Sequence, residues 1–410
     1  MAKLREGATV STAKGRMTRS LVLLGVAIFV VSLGFGMFTP ILPQYAAKLG
    51  IDATSLGFAY SLYNVALIIF LIPSGIMADR FGRVKTSVIG MALYSVSSLT
   101  LVFAKDLLQF AAARAIEGIG AAVVTPAVFA LTADLAPAES RGSGMGYTST
   151  MDTVGSLAGP TIGGLIAQTM GLKFPFYAAF FMALLSGTLL LPIRDPKVGS
   201  RSSSSGSSLF AIFNSLRQNV SESRSLLVLC LRGFIIGITQ GLYVLVFVLY
   251  MAFQIGMQPA EVGFSFTLVS GSTLAFAFLA GNLSDRFGRK PFVILGGIII
   301  ASGVVGFCFT HTASQVYVVS LILGFGIALN NAPINALLAD CVIPEIRAKV
   351  MGGYEVILGV GRALGVAFLG ALYAFSVFAP FYLLGGLMLL TVGLVALFLT
   401  EPRIKASVPQ

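Results

Sequence analysis

The chain has 410 residues, of which 56% are hydrophobic and only 10% charged, with 27 Lys and Arg against 16 Asp and Glu for a net charge of +11. Its mean hydropathy is +0.92, whereas an ordinary soluble domain carries about 25% charged residues, so a soluble globular enzyme is excluded and an integral membrane protein is implied. Three scattered cysteines, Cys230, Cys308 and Cys341, and a single histidine, His311, provide no spacing for a metal site or a disulfide framework; no cofactor and no metal are expected.

Apolar stretches of 18 or more residues with few charges read as spanning helices. Twelve are expected, making an all-α membrane protein. They cover 20–46, 54–77, 84–104, 107–134, 142–170 and 174–193 in the first half, and 226–254, 260–283, 291–311, 315–341, 348–375 and 378–400 in the second. This divides the chain into a tail (1–19), a six-helix bundle (20–193), a linker (194–225), a second six-helix bundle (226–400) and a short tail (401–410). The first apolar segment is full length, so no cleavable signal peptide is expected.

All but six of the 27 basic residues fall on one side of this arrangement: in both tails, in the linker and in alternate loops. Lys48, Lys105 and Lys173 lie on the other side, and Arg114, Arg232 and Arg362 lie inside spans. Positive residues stay on the cytoplasmic side, which predicts cytoplasmic termini; the membrane expected is the plasma (inner) membrane. The same rule and anionic lipid account for the net charge, so no nucleic-acid partner is expected.

In chain order, the first span carries Leu33-Gly34 and, five residues on, Pro40 and Pro43. Between the second and third lies GIMADRFGRVK, from Gly75 to Lys85, where Gly75 and Gly82 permit a tight turn and Asp79, Arg80 and Arg83 crowd charge into it. The fourth contains RAIEGIGAA, Arg114 to Ala122, and ends near Asp134. The fifth contains GSLAGPTIGG, from Gly155 through Gly159, Pro160 and Gly163 to Gly164. Glycines every four residues give a face for close helix packing, and Pro160 bends the chain.

The linker runs through RDPKVGSRSSSSGSS, a flexible composition. After it, Leu209, Ile212, Phe213, Leu216 and Val220 share one helical face, as in a short helix lying on a membrane surface. The second half then repeats the first. GNLSDRFGRKP, Gly281 to Pro291, returns 206 residues after the first copy, and the same offset pairs Gly118 with Gly324, Asp134 with Asp340, Arg141 with Arg347 and Asp195 with Glu401. Such a long period marks a duplicated domain, the internal symmetry of many transporters. The fifth-span motif is only partly repeated: Gly361 and Gly365 remain, and Val366 replaces the proline.

These residues resemble the major facilitator superfamily, whose signature loop G-x-x-x-D-R-x-G-R-K lies between the second and third helices and again between the eighth and ninth. The first, fourth and fifth spans further resemble the twelve-helix drug:proton antiporters, with Glu117 where a Gln is usual. The resemblance implies two pseudo-symmetric six-helix bundles, and a cytoplasmic gate built from Gly75, Asp79, Arg80, Gly82, Arg83, Asp134, Asp285, Arg289 and Asp340. Within it Arg83 would pair with Asp134, and Arg289 with Asp340. It also implies export of a hydrophobic or amphiphilic small molecule in exchange for protons. The alternatives in the same fold are a lipid or lysolipid transporter, and a ligand sensor without turnover.

Ionisable residues inside a bilayer are costly and mark ion paths, partners or cavities. Arg114 and Glu117 share a face of the fourth span, about 10 to 15 Å deep at 1.5 Å per residue, and Asp152 reaches a similar depth on the fifth. One buried cluster of the three is expected, with Glu117, Asp152 or both as the proton site; the alternative is a permanent arginine-carboxylate pair. Glu355 is a second proton candidate, two turns from Arg362, and Arg232 is expected to snorkel to the interface. Substrate contacts are expected from Asn64, Gln240, Tyr243, Asn330, Asn331, Asn335 and Arg362. The partners expected are substrate, protons and membrane lipid, with the protein a monomer. No Walker loop or nucleophile constellation is present, so no enzyme is expected.

Overall fold

The computed structural model describes residues 2–136, 141–195, 224–342 and 344–400, and these are helical, with no strand among them. Among the described residues thirteen α-helices follow one another. They are α1 (Ala2–Phe38), α2 (Leu42–Lys48), α3 (Ala53–Phe81), α4 (Arg83–Phe103), α5 (Leu107–Leu135), α6 (Arg141–Met170), α7 (Phe174–Leu190), α8 (Arg224–Leu249), α9 (Pro259–Phe287), α10 (Arg289–Gly306), α11 (Ala313–Asp340), α12 (Pro344–Phe375) and α13 (Ala379–Phe398). The surface helix expected over 209–220 lies outside the described residues.

Ten of these helices are long and apolar enough to cross a membrane. The fifth and sixth expected spans are α6 and α7. Of these, α6 carries Arg141 and Asp152 among many Gly, Ser and Thr, and α7 has 17 residues, about 25 Å of helix. The first expected span is not one helix. It stops at Phe38, and a turn leads into α2 at Leu42, because Pro40 has no N–H to continue the ladder while Pro43 fits the first turn of the next helix. At the opposite ends, Asp52 accepts from the N–H groups of Thr54 (3.1 Å) and Ser55 (3.4 Å) to cap α3, and Asp106 accepts from Gln109 N–H (2.8 Å) to cap α5. These bonds hold the Asp52 carboxyl below its usual range, the Ser55 hydroxyl contributing most.

The described chain forms two compact units, one of residues 1–206 with 258–264 and one of residues 207–257 with 265–410. In the first, α6 packs along α1 through its glycines. A Cβ at Gly155 would lie 2.6 Å from the Phe29 carbonyl oxygen, one at Gly159 would lie 2.6 Å from that of Leu33, and one at Gly163 would collide with the Met37 backbone. Four-residue steps on one helix thus meet four-residue steps on the other, and only the missing side chains let the backbones approach. In the second unit the helices α8 and α12 interlock from both sides: Gly361 and Gly365 meet Phe234 and Ile238, while Gly237 and Gly241 meet Leu358 and Val366.

Each unit has an apolar core, built around Leu24, Met91, Leu131 and Leu190 in the first and around Leu229, Val293, Leu337 and Val395 in the second. Large apolar side chains also cover the outside, among them Phe81, Phe103, Leu108, Phe181, Phe278 and Phe375. Apolar exposure on this scale needs an apolar solvent, and lipid supplies it. The three cysteines are free, and two of them are buried.

Candidate functional site

A cavity of about 370 Å³ opens within the first unit, walled by α1, α3, α4, α5 and α6. Its lining is mixed in character. Phe35, Tyr63, Tyr94 and Phe129 supply aromatic surface, Leu67, Met91, Val124 and Val128 aliphatic surface, and Ser32, Thr125, Thr132, Thr148 and Ser149 hydroxyls. Asp152 is the one ionisable carboxylate in that lining. The Ser32 hydroxyl donates to Asp152 Oδ1 at 2.5 Å, joining α1 to α6 at the cavity wall.

Arg114 and Glu117 stand apart from the wall. Both are buried, at 4% and 1% exposure, and the Arg114 guanidinium is paired with the Glu117 carboxylate. On its other side the guanidinium lies 4.6 Å from the ring centroids of both Tyr60 and Tyr63, cation–π contacts that strengthen when water is excluded. Glu117 Oε1 and Arg114 Nε have no hydrogen-bond partner. The single cluster expected of Arg114, Glu117 and Asp152 is therefore two sites: a sealed pair and a carboxylate exposed to the cavity. Tyr63 touches the first and lines the second, and Tyr94 lies within electrostatic reach of Glu117 and Asp152.

In the second unit Arg232 does not snorkel, contrary to expectation. It is fully buried, and it donates to Asn330 Oδ1 (2.5 Å), Thr391 Oγ1 (3.0 Å) and the Val293 carbonyl (3.2 Å). Its face of α8 turns toward α10, α11 and α13, and a Cβ on Gly297 would lie 2.7 Å from its Nη2. Asn330, expected on the substrate path, is occupied by this arginine.

The other expected substrate residues are dispersed. Asn64 is buried and donates to the Tyr60 carbonyl of its own helix, whereas Gln240, Asn331 and Asn335 are exposed, as is the proton candidate Glu355. Tyr243 packs its ring 4.5 Å from that of Phe266, with its hydroxyl unpartnered, and Arg362 is half-buried with an unpartnered Nε. Neither Tyr243 nor Arg362 lines the cavity of the first unit.

The two hinge turns are built alike. Gly82 and Gly288 have φ values of 96° and 92°, each with ψ of 150°, a left-handed region that side-chain-bearing residues avoid. Each turn starts a helix with an arginine: Arg83 pairs with Asp134, and Arg289 with Asp340. Arg83 also donates to the Ala130 carbonyl (2.6 Å), whereas Arg289 reaches Asp285 (3.2 Å). Asp79 and Arg80 are exposed.

Two hydrophobic helical units related by a sequence repeat, one of them holding a mixed cavity with intramembrane charge, define a multi-pass membrane transporter. The chain belongs to the Major Facilitator Superfamily, whose family model matches residues 24–239 and 229–410. It is 25% identical to multidrug resistance protein 2 of Bacillus subtilis, over 91% of this chain and 93% of that one. It is likewise 25% identical to the quinolone resistance protein NorA of Staphylococcus aureus, over 96% of this chain and 99% of that one. The solved structure of a D-xylose-proton symporter superposes with a TM-score of 0.74 at 18% identity, covering 93% of this chain and 98% of that one; this likeness concerns the fold.

Proposed function

We propose that the protein exports hydrophobic or amphiphilic small molecules across the plasma (inner) membrane in exchange for protons, by alternating access. One observation carries this reading: Asp152 is exposed to an aromatic and aliphatic cavity while bonded to Ser32. A carboxylate in such a place can hold either a proton or a cationic group of the substrate, and the two compete. That competition is antiport in chemical terms.

The sealed Arg114–Glu117 pair borders the same cavity through Tyr63 and is the second proton candidate, with Glu355 in the other half a third. Arg83–Asp134 and Arg289–Asp340, with Gly75, Asp79, Arg80, Gly82 and Asp285 around them, form the cytoplasmic gate. Both termini lie on that side. The glycine face of α6 is the pivot on which the first unit rearranges, and a monomer in lipid is the functional form.

The test is purified protein in liposomes with an imposed pH gradient and a lipophilic cationic dye. Dye accumulation driven by the gradient, and proton movement driven by the dye, are expected. Dye transport indifferent to the gradient would sink proton antiport. Movement of lysolipid without movement of dye would assign the chain to lipid transport, and binding without any transport would make it a sensor.

A further inference from the structure

The turn between α3 and α4 is completed by a residue 112 positions further along the chain. Asp195, just beyond α7, accepts with Oδ1 from the backbone N–H of Arg83 (2.9 Å) and of Val84 (3.0 Å). These are the first N–H groups of α4, which have no acceptor within the helix. A neighbouring Ser, Thr, Asp or Asn ordinarily supplies one. Here the N-cap is Gly82, which has no side chain to offer, and a Cβ on it would collide with Asp195 Oδ2. The glycine therefore serves two ends: it takes up φ of 96° and leaves room for the carboxylate.

Arg83 is consequently held twice. Its N–H is bound by the segment leaving α7, and its guanidinium by Asp134 and the Ala130 carbonyl of α5. The second unit repeats the backbone of the turn, and there Lys290, the counterpart of Val84, donates from Nζ to the Leu399 carbonyl (2.8 Å).

We propose that Asp195 is a positioning residue for transport: it fixes the start of α4, and with it the Arg83–Asp134 pair, to the segment that runs into the linker joining the two halves. This rests on the gate described under the proposed function. Removing the carboxylate frees the first turn of α4 and the base of Arg83. It leaves the cavity intact, because Asp195 is not part of its wall.

The experiment compares Asp195→Ala and Asp195→Asn with the unaltered full-length protein, by amide hydrogen exchange in detergent and by dye transport in liposomes. Asp195→Ala should speed exchange at Arg83 and Val84 about fivefold, the effect of losing a cap, and lower maximal dye flux with an unchanged KM. Asp195→Asn keeps an acceptor oxygen and should restore both. Unchanged exchange in Asp195→Ala would overturn the cap. Faster exchange with full flux would overturn the role in transport. Should the unaltered protein move no dye, the transport reading fails and the positioning role with it, while exchange still reports on the cap by itself.

Discussion

Arg232 Nη2 donates to Asn330 Oδ1 at 2.5 Å, inside a bundle where the arginine is fully buried and also donates to the Thr391 hydroxyl and the Val293 carbonyl. Among the described residues these acceptors are neutral and Arg232 Nε has no partner, so the buried cation is hydrogen-bonded at its two Nη atoms while its charge is uncompensated. Asn330→Leu should therefore destabilise the protein by about 2 to 3 kcal/mol, the scale for a hydrogen bond lost by a buried charged group. Asn330→Asp should instead raise the melting temperature in detergent, since it supplies the counter-charge. A lower melting temperature for Asn330→Asp would mean that Arg232 is not the group Asn330 serves.

Arg114 and Glu117 present the opposite case, a buried charge with its partner. Glu117→Gln leaves the guanidinium unpaired among Tyr60 and Tyr63 and should cost about 3 to 5 kcal/mol. The double variant Arg114→Gln/Glu117→Gln should recover much of that loss, because the two sites are coupled. Additive losses in thermal melts would show that the pair does not act as a unit.

Asp152 separates chemistry from structure more cleanly. Asp152→Asn keeps an oxygen for the Ser32 hydroxyl, so stability should change by less than about 1 kcal/mol. Proton release on addition of a lipophilic cationic dye should fall at least about tenfold, because the site no longer ionises. Full release from this variant would move the proton site to Glu117 or Glu355.

Gly159 has no room for a side chain against Leu33 and Gly36. Gly159→Val should part α1 from α6, destabilising by about 1 to 3 kcal/mol as overpacking does, and it should abolish dye flux. Gly142, with open space around the position of a Cβ, is the control, and Gly142→Ala should preserve flux. Equal flux in both variants would remove the packing face from the mechanism.

The Arg83–Asp134 pair is 19% and 14% exposed. Asp134→Asn should raise proteolysis or cysteine labelling around the α3–α4 turn and lower flux about tenfold. The charge-swapped double variant Arg83→Asp/Asp134→Arg should restore only part of it, because Arg83 also serves the Ala130 carbonyl. Full restoration would reduce the site to charge pairing alone.

How far the sequence reaches can be followed residue by residue. The family resemblance implied the pairing of Arg83 with Asp134, the 206-residue repeat extended it to Arg289 with Asp340, and the glycine steps of α6 marked a packing face. Depth was legible too, from the count of residues into a span. Rotation about the helix axis was not. That is why Arg232 was expected at an interface and lies among three helices, and why Asp152 was expected beside Arg114 and faces a cavity beside Ser32. The break after Phe38 was signalled by Pro40 and Pro43, but a continuous apolar run concealed it.

Hydropathy and repetition thus determined by themselves that this is a duplicated, helical membrane protein, because a bilayer demands long apolar helices with their backbone groups satisfied internally, and the hinge motif carried the resemblance to its family. Only the tertiary structure decided which buried charges are compensated, which carboxylate meets the cavity, and that Asp195 closes a turn 112 residues upstream. Those facts depend on contacts between helices far apart in the chain, and a periodic pattern along one helix holds no record of what packs against it.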